Sequence, residues 1–346
     1  MTISCVRPAL LPARRLWRDS ETLQLGQPPG PAVVLAGVDP PLRRLLALLD
    51  GSRDSEALLA QAAQEGCGPA RAAQLLSLLD EAGLLMEAGE DGALLHARTP
   101  DRDQLLPDVA ALRLVQPADA TTAASRRLQA SVVVIGAGRV GAAVLSMLAA
   151  AGVGTVGAVD PGTARPADAS PGGLRPTDSG RRRGDAAHER ARGAAPGARV
   201  AAVEGPDLVV IAPVEPGHRE QASVCLAEGT PHLLAEVRGA AGVVGPLVLP
   251  GRSACLHCLD LERTDRDPGW PALAVQLAQD ARGVEPCDGA LAAAVTAQAA
   301  LQALAYVDGV ALPATVGGSL ELCLPDWRWR RRSWAVHPDC GCAWAA

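Results

Sequence analysis

Two pairs of cysteines offer the clearest chemistry in the chain. Cys255-Leu-His-Cys258 and Cys340-Gly-Cys342 each place two sulfurs on a tight turn, and they lie far apart in sequence. One such turn can point both thiolates at a single ion, and two complete a tetrahedral cage. Four ligands with no open position describe a structural zinc, which contributes on the order of 10 kcal/mol to folding because the unfolded chain has no such cage. A CxC half is less usual than CxxC, so His257 and His337 stand as alternative ligands. A redox CxxC or simple buried thiols are the competing readings. The redox motif usually opens a helix in a thioredoxin-like unit, whereas Cys255 follows a pair of apolar strands.

A second constellation points to an anion. The apolar run Val132–Ile135 leads into Gly136-Ala-Gly138-Arg-Val-Gly141 and then a helical stretch ending near Gly152. Glycines at this spacing let the backbone turn tightly and bring helix N–H groups close to a phosphate. A further strand ends at Asp160, 19 residues after Gly141, where a carboxylate can hold ribose hydroxyls. Strand, glycine turn, helix, strand and acid together predict a Rossmann-like fold. They leave open whether Gly136, Gly138, Gly141 and Asp160 hold a nucleotide or only pack a helix on a sheet.

The composition sharpens these readings by exclusion. All 32 basic residues are arginine, and the chain contains no Lys, Asn or Phe. Any mechanism that needs a lysine or an asparagine is therefore ruled out. The net charge of −6 argues against a nucleic-acid-wrapping protein. No apolar run approaches the roughly 18 residues of a membrane span, and the N-terminus lacks the apolar core of a signal peptide. The expectation is a cytoplasmic protein with neither nucleic-acid nor membrane partners.

With 346 residues, two domains are expected. Leu23 to Ala36 reads as two short strands about a Pro/Gly turn. Leu42, Leu45, Leu46 and Leu49 then form the apolar stripe of a first helix, Leu58 and Leu59 mark a second, and Ala72, Leu75, Leu76 and Leu79 line a third that starts at Pro69 and stops at Gly83. Leu84-Leu85-Met86 reads as a closing strand. Strands, three helices and a strand within residues 1–98 predict a small α+β winged-helix domain, a shape that binds DNA or peptide. Its third helix carries Arg71 alone as a basic residue, so neutralisation of DNA phosphates would be poor. Residues 99–127 show little periodicity and are expected to be a linker. Residues 128–346 form the α/β domain, with Pro161 to Arg199 expected to lack a compact helix and strand. Near the C-terminus, Trp327-Arg-Trp329-Arg-Arg-Arg332 alternates as a strand would, with its Trp side expected to face inward and an acidic-peptide grip as the other reading.

The glycine loop, the acid after the second strand, the central CLxC and the terminal HPxCxC together resemble the ThiF/MoeB family, relatives of the ubiquitin-activating enzymes, over about Leu128 to Ala346. Glu285-Pro-Cys287-Asp-Gly-Ala290, with the Ala-rich helix that carries Gln298 and Gln302, is similar to the family's crossover segment. The resemblance implies a homodimer and ATP held by the glycine loop, with Asp160 and Arg175 beside it and Cys287 as a candidate sulfur-carrying thiol; a plain loop thiol is the other reading. It also exposes departures. The family's Lys should fall near Gly184 to His188, its Asn near Pro171 to Arg175, and its magnesium-holding Asp near Ala212 to Glu215. None is present, although Arg181 to Arg183 and Glu215 are substitutes in charge.

The full arrangement implies a Rossmann-like ThiF-type domain with structural zinc, preceded by a PqqD-like winged helix. It resembles the leader-peptide-binding C proteins that serve YcaO cyclodehydratases. In that setting the chain binds the leader of a ribosomal peptide precursor, presents it to a YcaO-type partner and leaves ATP to that partner. An active ATP-dependent adenylyltransferase acting on a peptide carboxylate is the first alternative. A nucleotide-sensing winged-helix regulator is the second.

Overall fold

The computed structural model describes residues 5–30, 32–89, 96–116, 119–215, 217–279 and 286–343. The chain divides into two compact units, Met1–Ala124 and Ser125–Ala346.

In the first unit β1 (Pro8–Leu10) pairs antiparallel with the later strand β5 (Leu85–Glu87), and β2 (Arg15–Trp17), β3 (Leu23–Leu25) and β4 (Val33–Leu35) form a three-stranded antiparallel sheet with β3 in the centre. Between them lie α1 (Pro40–Leu48), α2 (Ser55–Gln64) and α3 (Pro69–Glu81). The starts of α1 and α2 are fixed by Asp39 and Asp54, whose side chains accept the amides of Leu42 and Ala57 that no helical carbonyl reaches. Leu42, Leu45, Leu46, Leu49, Leu58, Ala72, Leu75, Leu76 and Leu79 are all buried in one core with Leu23 and Leu25. The helical stripes read from sequence thus face one another. β1 and β2 are additions, too short for periodicity to reveal.

The stretch expected as a linker is instead largely helical, with α4 (Arg102–Val115) and α5 (Ala120–Gln129). Leu105, Val109 and Leu112 bury one face of α4 despite Pro107 inside it. That proline, together with the surrounding Ala and Asp, masks the spacing.

The second unit is built on one eight-stranded sheet of order β13-β12-β11-β10-β9-β6-β7-β8. Its strands are β6 (Ser131–Ile135), β7 (Thr155–Val159), β8 (Arg199–Val200), β9 (Leu208–Ile211), β10 (His232–Arg238), β11 (Ala241–Val248), β12 (Gly318–Cys323) and β13 (Trp329–Ser333). The run β8-β7-β6-β9-β10 is parallel, and the last three strands add antiparallel. The order reverses between β6 and β9, and that switch point is where open α/β sheets leave a crevice at their carboxyl ends.

Helices cover both faces, as a parallel sheet requires. On one face α6 (Gly141–Ala150), α7 (Arg183–Ala194) and α11 (Gly289–Asp308) pack over Val132, Val134, Val156, Val210, Leu233 and Val244. On the other, α8 (His218–Ala227) covers Val133, Val209, Ile211 and Leu234. α9 (Leu256–Arg266) and α10 (Trp270–Leu277) follow β11. The segment after Asp160 holds α7 and β8, contrary to expectation. The face that α7 buries is Ala186, Ala187 and Ala191, which an apolar-stripe search passes over beside so many arginines. α11 is, by length and composition, apolar enough to cross a membrane, yet here it packs against α6, β10 and β11, with Asp288 capping its first turn.

Candidate functional site

The four sulfurs of Cys255, Cys258, Cys340 and Cys342 lie within 4.8 Å of one another. The separations are 3.8 Å for Cys255–Cys258, 3.5 Å for Cys255–Cys340 and 3.4 Å for Cys258–Cys342. A tetrahedron of thiolates about zinc, at roughly 2.3 Å from the metal, has edges of roughly 3.8 Å. The donor set therefore fits zinc in number, chemistry and span. Contrary to the sequence expectation, the CxxC does open a helix, with Cys255 the N-cap of α9 and Cys258 in its first turn. The metal reading is carried instead by the second pair, where Gly341, at φ +72°, lets the terminal turn double back between Cys340 and Cys342. Val248, Ala254, Leu259 and Trp334 wrap the cluster in apolar surface.

Neither histidine joins it. His257 is exposed, and His337 accepts the amide of Asp339 on Nδ1 (3.2 Å) and meets Asp265 through Nε2 (3.0 Å). His337 thereby pins the C-terminal turn to α9. Burial pushes the Cys340 thiol up, and pushes Cys342 up to about 11. Burial also opposes ionisation of Cys258, but amide hydrogen bonds from His337 and Cys255 carry it below the usual thiol range. A bound divalent cation would deprotonate all four.

At the carboxyl end of the parallel strands the glycine loop follows β6 as the sequence predicts. Gly136 turns at φ +89°, where a Cβ would stand 2.0 Å from the carbonyl oxygen of Ala212, and one at Gly141 would stand 1.8 Å from the carbonyl oxygen of Gly136. Both glycines are demanded by close backbone packing. Gly138 differs: a Cβ there would meet the Val214 side chain at 2.7 Å. Val214 thus packs directly against the middle glycine of the loop.

The charges around this loop are satisfied within the chain. Asp160 accepts from the amide of Ala137 (2.7 Å) and Arg183 Nε (2.8 Å) on one oxygen and from the amide of Gly162 (2.8 Å) on the other. Burial alone would raise the Asp160 pKa, but these bonds, led by Arg183, hold it below the usual carboxylate range. Arg183, 3% exposed, also reaches Glu215 at 2.8 Å and Asp168 at 3.7 Å. Arg181 pairs with Asp178 and Glu189. Arg175 is exposed, at the start of a short 3₁₀ turn.

Arg139, within the loop, donates to the carbonyls of Ala167 and Cys287, both at 2.5 Å, and so ties the loop to the segment that resembles the family crossover. Cys287 is half-buried; burial raises its thiol pKa more than Arg139 lowers it, the opposite of an activated nucleophile. Sequence reasoning missed Asp168 and the part played by Arg139. Asp168 lies outside every motif and Arg139 at an unspecified position within the glycine motif, and their roles emerge only when the segments holding Ala167 and Cys287 fold against the loop.

The tail strand also departs from expectation. β13 is the edge strand, and Trp329 packs partly against the core, but Trp327 is 70% exposed, with a left-handed φ of 61°.

The ThiF family model matches residues 112–342 of the chain. No sequence among the curated proteins matches it. Among solved structures, the microcin C7 biosynthetic enzyme MccB in complex with N-formylated MccA superposes with a TM-score of 0.72 at 13% identity, over 97% of this chain and 99% of that one. MccB from E. coli with ATP gives the same four values. Selenomethionine PaaA gives a TM-score of 0.67 at 17% identity, over 94% of this chain and 99% of that one. At these identities the likeness is one of fold. The glycine loop at the switch point, the four-thiol cluster and a family match covering most of the sequence agree: the chain belongs to the ThiF family.

Proposed function

We propose that this protein is a zinc-stabilised, non-adenylating member of its family that binds the leader of a ribosomal peptide precursor and presents it to a partner modifying enzyme of the YcaO type. The observation that carries the reading is the self-satisfied glycine pocket. Transfer of a nucleotidyl group depends on positive charge placed against developing negative charge. Here the buried Arg183 is held by Asp160 and Glu215, Val214 lies over Gly138, and the sequence has no Lys or Asn to take over.

The first unit supplies the binding side of the proposal. We read its strands and three helices as a PqqD-like winged helix. Its three-stranded sheet ends in the short strands β2 and β4, and an extended peptide can add to such an edge through backbone hydrogen bonds. MccB, similar in fold across nearly its whole length, has been solved with MccA, which supports a peptide as ligand. Arg71, the only basic residue of α3, is paired with Asp39 at 2.5 Å, which weighs against the DNA-binding alternative. Titration of the full chain with the precursor peptide encoded beside it should saturate with or without ATP. Absence of saturable binding would overturn the proposal.

A second reading, a working adenylyltransferase, is favoured by the intact glycine turn and by the MccB structure with ATP. It requires Arg183 to leave Asp160 and face a phosphate. It predicts an acyl-adenylate detectable by mass spectrometry when ATP, magnesium and the peptide are supplied together.

A further inference from the structure

A second polar crevice lies on the opposite face of the sheet from α11, between α8, α9 and strands β10 to β12. Its walls include His218, Arg219, Arg238, Arg263, Ser319 and Glu321. The alternation of β10 sends Leu233 and Ala235 to the α11 side and Leu234, Glu236 and Arg238 to this one. Arg238 ends β10 and His218 opens α8, so the crevice opens at the same end of the sheet as the glycine loop.

The charges here, unlike those around the loop, do not close. Four guanidinium groups, those of Arg219, Arg238, Arg263 and Arg332, meet three carboxylates, those of Asp260, Glu236 and Glu321. Arg219 takes Asp260 at 2.9 Å, Arg238 takes Glu236, and Arg332 takes Glu321 at 3.2 Å. Arg263 is left with a 3.5 Å share of Asp260, already engaged by Arg219 and by the Trp270 indole N–H, and its side chain makes no hydrogen bond among the described residues. Its guanidinium stands 4.7 Å from the Trp270 ring centroid and 5.5 Å from that of Trp334. Burial, and then repulsion from Arg238 and Arg332, hold its pKa below the usual arginine range. A guanidinium lying near two indoles, with only a shared 3.5 Å ion pair to Asp260 and a side chain only 23% exposed, is arranged for an incoming anion.

We propose that this crevice binds a carboxylate, taken edge-on by Arg263 with Arg238 and Arg219 alongside. A flat guanidinium held by rings matches a planar two-oxygen acceptor, which it takes bidentately. One carboxylate also cancels the one positive charge in excess. The site rests on these side chains alone and is independent of leader binding by the first unit. A short peptide terminus and a free small acid share this chemistry.

The test is fluorescence titration of the full chain, read through Trp270 and Trp334, with acetate, with the tripeptide Ala-Ala-Gly and with its C-terminal amide. The site requires a saturable change with the free acids and none with the amide. Tighter binding of the tripeptide than of acetate identifies a peptide terminus, and equal affinity identifies a free acid. R263M should weaken the acid at least about tenfold, while R192M, on an exposed arginine of α7, should leave it unchanged. Equal binding of acid and amide, unaltered affinity in R263M, or tighter binding of inorganic phosphate would overturn the assignment. If R263M does not fold, the comparison of acid with amide on the unmodified chain decides alone.

Discussion

Two corners of the larger unit carry the family's signature motifs, and they treat their polar groups in opposite ways. Around α9 four sulfurs converge on one point at separations that suit a single cation. Around the glycine loop, Asp160 and Arg183 pair with one another, and the Val214 side chain packs against Gly138. The thiols share one chemistry and one focus, as ligands of a single cation would, whereas the charged groups of the loop are of opposite sign and pair among themselves. The same family match therefore holds one cluster open to a shared ligand and one whose charged groups meet each other.

The contrast can be broken first at the thiols. C258S, or prolonged chelation, should remove stoichiometric zinc and unfold the larger unit, since such cages contribute on the order of 10 kcal/mol. Metal analysis and thermal melting read the result, and an unchanged melt with no metal would show that the cysteines are ordinary core thiols.

Next in size, R183M should leave Asp160 buried without its cation and cost about 3–5 kcal/mol in denaturant unfolding. R175M, at an exposed position, should cost almost nothing. Equal effects would deny the network its structural role.

A smaller effect is expected at the covered glycine. G138A forces the new methyl against Val214 and should cost about 1–3 kcal/mol, and V214A in the same chain should recover most of it. Simple additivity of the two substitutions would contradict the contact.

The smallest test is in pH. His188 Nε2 accepts the amide of Ala158 at 2.8 Å, and burial lowers its pKa from the ordinary 6.5. The unfolded chain therefore takes up this proton first as pH falls. The stability His188 lends is full above 6.5 and is lost as pH drops through the lower folded value. H188Q should flatten the pH dependence of unfolding below 6.5, and an unaltered slope would remove His188 from the account.

Much of this arrangement was legible in the residues. The leucine stripes of α1 to α3, the apolar strands β6, β9 and β10, the glycine turn and the four cysteines all stand where their spacing placed them. Each is a local signal: a period, a turn chemistry or a ligand pair. What escaped is non-local or low in contrast. The buried alanines of α7 carry no hydrophobic emphasis, Pro107 conceals the face of α4, and the two-residue β8 is too short for any period. Whether Arg183 faced a phosphate or a carboxylate could not be read from sequence, because its partners Asp160 and Glu215 lie 23 and 32 residues away. The absence of Lys and Asn was visible at once and pointed toward the same functional reading.

The most direct test of the central claim is isotope exchange between pyrophosphate and ATP, with magnesium and the precursor peptide, on the intact zinc-loaded chain. The internally satisfied pocket predicts no exchange above the rate without protein, under conditions where the same preparation binds the peptide saturably. Peptide-dependent exchange that scales with protein and disappears in R183M would contradict it, and would make Arg183 the arginine that meets the phosphates.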